Sequence, residues 1–256
     1  MSLSNDIQPD SGHRSPEWAM APIITFAESL CRTIAPRDLA DVPLYIVRQS
    51  EISSEFGNAE GCDGFTTPSL DLNVRDFLGN RWCGRGPCMV INDIALLGDC
   101  HPDDLDHVTL GVVLHELAHI LDRDTLYAER THVDPLRLKF ESLVIADASK
   151  RPKPKVEVPT YFGHGESFIR IALHVRHRAF HNHVDVAPSQ LCAGRRYGLS
   201  HAQRYVEALG DEPERFADRT FREIRSVKPP PEFLSVWADD VAAYHESVSC
   251  SQRSPT

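Results

Sequence analysis

Apolar residues recur at helical spacing soon after the start of the chain. Ile23, Phe26, Leu30 and Ile34 fall three or four apart, which predicts a helix to about Ala35 with Pro22 at its first position. Residues 44–48 (LYIVR) form a β-rich run and predict a strand. A glycine-containing loop from Phe56 to Gly64 leads to two short runs, 65–67 and 70–72, that read as strand pieces broken by Pro68. A second Gly/Pro loop spans 79–87, and the run 89–97 (MVINDIALL) begins as a strand. The stretch 112–122 is apolar at most positions. It predicts a buried helix that starts near Pro102-Asp103-Asp104, where acidic residues suit the positive end, and runs to about Asp122.

Beyond it, Asp134-Pro135 reads as a helix start, followed by Leu136, Phe140, Leu143 and Val144 on one face to about Ala148. The run 149–155 (SKRPKPK) reads as a solvated extended linker. A further helix carries the stripe Phe168, Ile171, Ala172 and Val175, with His164 at its mouth and Arg170, His174, His177 and Arg178 along it. Three more helices are predicted: 200–209, with Ser200 as cap and Gly210 as stop; 213–226; and 231 to about 247. The pattern implies an α+β fold, with a small twisted sheet beside the buried helix and a helical C-terminal part. The expected divisions are a flexible leader over 1–20, a main domain over 21–182 and a helical extension over 183–256.

Composition narrows the function. The 256 residues suffice for a sizeable core, and the formal net charge of −10 argues against bulk electrostatic binding to nucleic acid. No apolar run approaches the ~20 residues that span a bilayer. The polar segment 1–20 lacks a signal-peptide core, so a cytoplasmic location is expected. Seven scattered cysteines, an odd number, fit reduced thiols. Cys83 and Cys88 form a C-x4-C pair with no second pair near it. Free thiols in a loop are the expected reading, although Cys62 and Cys100 stay open as partners.

The chemistry centres on His115-Glu116-Leu117-Ala118-His119, an H-E-x-x-H pattern inside the buried helix. Residues four apart lie on one helical face, so two imidazoles can reach one metal ion. Glu116 lies close enough round the helix to act on water held by that metal. Zn²⁺ brings the pKa of such water to about 7, within reach of a neighbouring carboxylate. A catalytic zinc also needs a third protein ligand. The long form of the motif is absent, because Asp122 and Thr125 stand where it would carry Gly and His. His164 leads the candidates, since Gly165 permits close backbone approach and Phe168 anchors the helix a turn on. Glu141, which lies 22 residues after His119 (141 − 119), Glu166 and Asp122 remain open. His174 is a candidate to orient a ligand or stabilise an oxyanion, and Tyr127 and Tyr161 are candidate oxyanion donors. Arg170 and Arg178 are expected to pair with acidic groups.

The motif at 115–119, the strand-then-helix approach from Met89, and His164-Gly165-Glu166-Ser167-Phe168, an H-G-x-x-F element, resemble the SprT-like family of zinc metallopeptidases (SprT and Spartan type). The likeness covers residues 44–180, with a longer insertion between the motifs than the family usually carries. It implies a zincin-like catalytic domain in which His164 joins His115 and His119 as zinc ligand, Glu116 is the catalytic base, and the substrate is a protein or peptide. In such enzymes an extended substrate can pair with a strand edge beside the metal helix, and residues 44–48 and 88–92 are the candidates. Three alternatives stay open. One is a gluzincin-type enzyme using Glu141. Another is a zinc-stabilised fold without catalysis. The last is a nucleic-acid-associated protein that acts on DNA-bound substrates.

Overall fold

A computed structural model describes residues 16–52, 62–123, 164–192 and 202–251. α1 (Pro16–Ile34) starts ahead of the expected Pro22, which lies inside the helix. Its buried stripe of Met20, Ile23, Ala27, Leu30, Cys31 and Ile34 keeps the helical period across the proline. β1 (Tyr45–Arg48) and β2 (Gly64–Thr66) follow. Where a strand piece was expected at 70–72, the chain instead forms two helical turns, α2 (Leu70–Asn73) and α3 (Arg75–Leu78). Leu70, Val74 and Leu78 are buried together, and that spacing of four governs the segment rather than the alternation of Leu70 with Leu72. β3 (Cys88–Ile91) then passes into α4 (Asp93–Asp99), where the Asn92 side chain accepts from the Ala95 amide as N-cap.

The three strands lie in the order β1-β3-β2, with β1 parallel and β2 antiparallel to β3. Both faces of the sheet are covered. Ile46, Met89 and Ile91 face the main core, while Tyr45, Val47, Cys88 and Val90 face a smaller one with Ile52, Leu70, Val74 and Leu78. This two-sided burial explains the nearly continuous apolar composition of β1 and β3.

α5 (Leu105–Leu121) starts just after Pro102–Asp104 and is buried at most of its positions. It packs against α1, β2, β3, α4 and two later helices, α6 (Glu166–His181) and α7 (Pro188–Cys192). α8 (Ala202–Leu209) ends at Gly210, whose φ of +59° is the left-handed conformation that stops a helix. The expected helix 213–226 is two: α9 (Glu212–Arg215) and α10 (Phe221–Ser226). Thr220 and Glu223 form a reciprocal capping box that starts the second, a T-x-x-E signature within the sequence. α11 (Pro231–Ser251) closes the described chain. Leu191, Tyr205, Leu209, Phe221, Ile224 and Phe233 from these later elements share one core cluster with α5 and α6. The architecture is mixed α+β, mostly helical with a small sheet. No helix among the described residues is long and apolar enough to cross a membrane. The helix and linker expected at 134–155 lie outside the described residues, as do Tyr127, Glu141 and Tyr161.

A buried ionic cluster joins the C-terminal helices to α6. Glu212 Oε1 accepts from Arg170 Nε at 2.7 Å and lies 3.0 Å from His174 Nε2. Arg170 also donates to the carbonyls of Ile224 at 3.0 Å and Val227 at 2.6 Å. Burial alone would push the Glu212 carboxyl up, but the hydrogen bonds from His174 and Arg170 outweigh it and hold it below its ordinary value. Removing one member strands the other charge. Glu212→Ala is therefore expected to lower the unfolding free energy by about 3–5 kcal/mol in denaturant titrations, and a loss under about 1 kcal/mol would contradict the assignment. Gly64→Ala tests how β2 sits on α5. An added Cβ would stand 2.7 Å from Val112 Cγ1 and 3.1 Å from the Val90 carbonyl oxygen. The expected cost is about 1–3 kcal/mol by the same measurement, with unchanged stability the contrary result.

Candidate metal centre

α5 presents His115 and His119 on adjacent turns of one face, and the start of α6 brings His164 to them from the opposite side. Ligand-capable atoms of the three residues all lie within 4.8 Å of one another. The ring centroids form a nearly equilateral triangle, with His115–His119 and His119–His164 at 4.9 Å and His115–His164 at 4.8 Å. Phe168 supplies the apolar wall. Its ring stacks on His164 at 4.0 Å and lies 4.1 Å from His119 and 5.1 Å from His115. The H-G-x-x-F spacing thus has a local cause: Gly165 is the helix N-cap, and Phe168 sits one turn in, directly behind the histidine.

Orientation is imposed from a second direction. His115 Nδ1 lies 2.9 Å from the Leu191 carbonyl of α7, which accepts its proton and leaves Nε2 as a lone pair. His164 Nε2 stands 3.2 Å from His119 Nε2, while His164 Nδ1 is buried without a well-aligned partner. A hydrogen bond between the two Nε2 atoms would need one of them protonated. If His164 carried that proton on Nε2, its buried Nδ1 would be left a bare lone pair; if His119 carried it, the His164 proton would lie on Nδ1, toward the Cys192 backbone. Two nitrogens sharing a tetrahedral ion at ordinary Zn–N lengths would be about 3.4 Å apart, close to the observed separation. The donor set therefore fits a zinc-like ion.

The electrostatics agree with that fit. Burial, then the neighbouring His115 and His164, lower the pKa of His119 to about 3. Burial and His115 lower His164 to about 4, against a small opposing effect of the Cys192 backbone. Burial also lowers His115. All three are neutral at neutral pH, the form in which imidazole can bind a metal. Glu116 is buried, and burial raises its carboxyl to about 7 against the pull of Arg123. Its Oε2 has no partner. A carboxyl poised near neutrality beside neutral imidazoles can take and return a proton.

Of the other residues singled out by sequence, Asp122 accepts from the Ser167 hydroxyl and lies 3.5 Å from Arg225 Nε, bracing the start of α6 rather than joining the histidines. Glu166 does not join them either. His174 belongs to the Glu212 cluster. Arg170 pairs with Glu212 as expected, whereas Arg178 donates mainly to backbone, at 2.9 Å to the Ile34 carbonyl and 3.2 Å to that of Phe216. Cys31, Cys62, Cys83, Cys88, Cys100 and Cys192 are free thiols, and none joins a metal-ligating group among the described residues.

The strand edge beside the site is not the one sequence suggested. β3 is paired on both sides, and β1 lies on its far side from β2. β2 runs against α5, where a Cβ at Gly64 would stand 3.4 Å from Glu116 Cγ. Arg123 at the end of α5 donates to Thr66 Oγ1 at 2.8 Å and Thr66 donates to the Cys88 carbonyl at 2.5 Å, fixing β2 to the helix. Sequence reasoning also missed the Leu191 carbonyl. A backbone acceptor has no residue signature, and only Pro188 at the start of α7 hinted at a helix there. No family model, curated protein or solved structure matches the chain.

These shifts set a pH dependence for chelator-stripped protein. His119 and His164 have folded values below the ordinary 6.5, so the unfolded chain binds more protons in acid. Their contribution to stability is complete above pH 6.5 and is lost as pH falls toward 4 and then 3. Glu116 has the opposite sign, because its folded value rises from 4.5 to about 7. Its contribution is present below pH 4.5 and lost as pH rises through 7. Thermal melting against pH should show a shallower acid decline for His164→Gln and a weaker loss toward pH 7 for Glu116→Gln. An acid limb unchanged in His164→Gln would contradict the assignment.

Proposed function

We propose that the protein is a zinc-dependent metallopeptidase with a zincin-like catalytic unit of the SprT-like kind. The observation that carries this reading is the convergence of three neutral imidazoles, two from α5 and one from just ahead of α6, beside a buried carboxylate whose Oε2 has no hydrogen bond. His115, His119 and His164 would hold the ion. A zinc ion bound there supplies a Lewis acid that makes water nucleophilic near neutral pH.

The chain's own residues supply the rest. Glu116, raised to about 7, accepts a proton from the attacking water and passes it to the departing amine. The Leu191 carbonyl and Phe168 hold the imidazoles in one orientation, so little reorganisation accompanies reaction. The three histidines are only half-buried, which leaves the site open to a substrate. β2 supports a peptide as that substrate. Its outer edge has no strand partner among the described residues, and it passes Glu116, so an extended chain added there would run by the site. Glu116 favours catalysis over a purely structural ion, which would need no unpaired carboxylate beside it.

Two variants test the reading against a protein or peptide substrate. Glu116→Gln should keep the bound zinc and lose about 10²–10⁴-fold in kcat. His164→Ala should lose both zinc and turnover. Full turnover in Glu116→Gln would contradict the assignment of the base, and zinc retained at full affinity in His164→Ala would contradict that of the ligand.

A further inference from the structure

A second group with metal-ligand character lies at the other end of α6. His177 and His181 sit four apart, so they share a helical face as His115 and His119 do. Their ring centroids are 4.5 Å apart at an interplanar angle of 67°, close to the 4.9 Å and 77° of the α5 pair. Glu214 of α9 meets them, with its Oε2 3.2 Å from His177 Nε2 and 3.6 Å from His181 Nε2. Ligand-capable atoms of the three residues lie within 4.8 Å of one another.

Two observations separate this group from a casual surface ion pair. His177 Nε2 is buried and faces Glu214 Oε2 at 3.2 Å, so its nitrogen is aimed into the cluster rather than at bulk water. The segment bearing Glu214 is also held in place. Glu212, two residues earlier, is clamped in the buried cluster with Arg170 and His174, which fixes α9 against α6. The group lines a cleft of about 420 Å³ bounded also by Thr33, Pro36 and Asp218, with room for water or a small ligand to complete a coordination shell. Arg37 and Arg219 border the same cleft and favour an anion as that further ligand.

We infer that His177, His181 and Glu214 form a second divalent transition-metal site, separate from the centre at His115, His119 and His164. Two imidazoles and one carboxylate select a borderline ion such as Zn²⁺, Co²⁺ or Ni²⁺ over Mg²⁺ or Ca²⁺, which prefer all-oxygen shells. The ion staples α6 to α9 roughly 20 Å along the helix from His164, by the rise per residue. Metal binding there tightens the C-terminal helices on α6, the helix that follows His164, and it requires no turnover.

Co²⁺ titration of the full chain tests the site, with equivalents counted by equilibrium dialysis and ligand type read from visible absorption. Wild type should bind one equivalent more than His181→Ala, without thiolate charge-transfer absorption for that equivalent. The same equivalent should be lost on adding His181→Ala in a His119→Ala background. His181 and Glu214 are exposed, so His181→Ala and Glu214→Gln should keep the wild-type circular dichroism, and Glu214→Gln should bind that equivalent more weakly. Equal stoichiometry and affinity in wild type and His181→Ala overturn the proposal. So does a lost equivalent that carries thiolate absorption.

Discussion

Three imidazoles crowded against a phenyl ring, in a region dry enough to keep them unprotonated, are the constraint around which this molecule is arranged. Neutral histidines side by side turn ring nitrogens toward one another, His164 Nε2 standing 3.2 Å from His119 Nε2. On the proposed reading a metal ion accepts their lone pairs, and each supporting element serves to hold the three rings in place. α5 is buried nearly all round, so His115 and His119 are held on a rigid rod. Gly165 caps α6 so that His164 emerges at its mouth, and Phe168 backs all three rings.

The helices after residue 183 share a core with α5 and α6. α7 supplies the carbonyl that sets the His115 tautomer, and its Leu191 side chain lies in the core shared by α5 and α6. The Arg170–His174–Glu212 cluster locks α9 to α6, the helix that begins with the His164 loop. Buried ion pairs of this sort add little net stability compared with apolar packing, but breaking one is costly. That asymmetry suits a role in fixing one geometry. The same lock holds Glu214 against His177 and His181, so one anchor serves both ends of α6.

Much of the candidate histidine cluster was legible in the chain because its motifs are local. H-E-x-x-H and H-G-x-x-F each place their groups within one or two turns of a helix, and helical spacing can be read directly. The buried helix, β1, β3 and the stop at Gly210 were legible for the same reason. What stayed hidden depends on tertiary contacts. The Leu191 carbonyl has no sequence signature. β2 became the strand beside Glu116 because β3 is central, and pairing order is not written in a single strand's pattern. Two errors had local remedies. The spacing of Leu70, Val74 and Leu78 marked helix rather than strand, and Thr220 with Glu223 marked a new helix start within 213–226. His181 drew no notice because its partner Glu214 comes from a different helix.

The most direct test of the central claim is anomalous diffraction at the zinc absorption edge from crystals of the zinc-loaded protein. The account predicts a difference peak about 2.0–2.1 Å from a ring nitrogen of each of His115, His119 and His164. A peak held by Glu141 in place of His164, or no peak near the two α5 histidines, would contradict it.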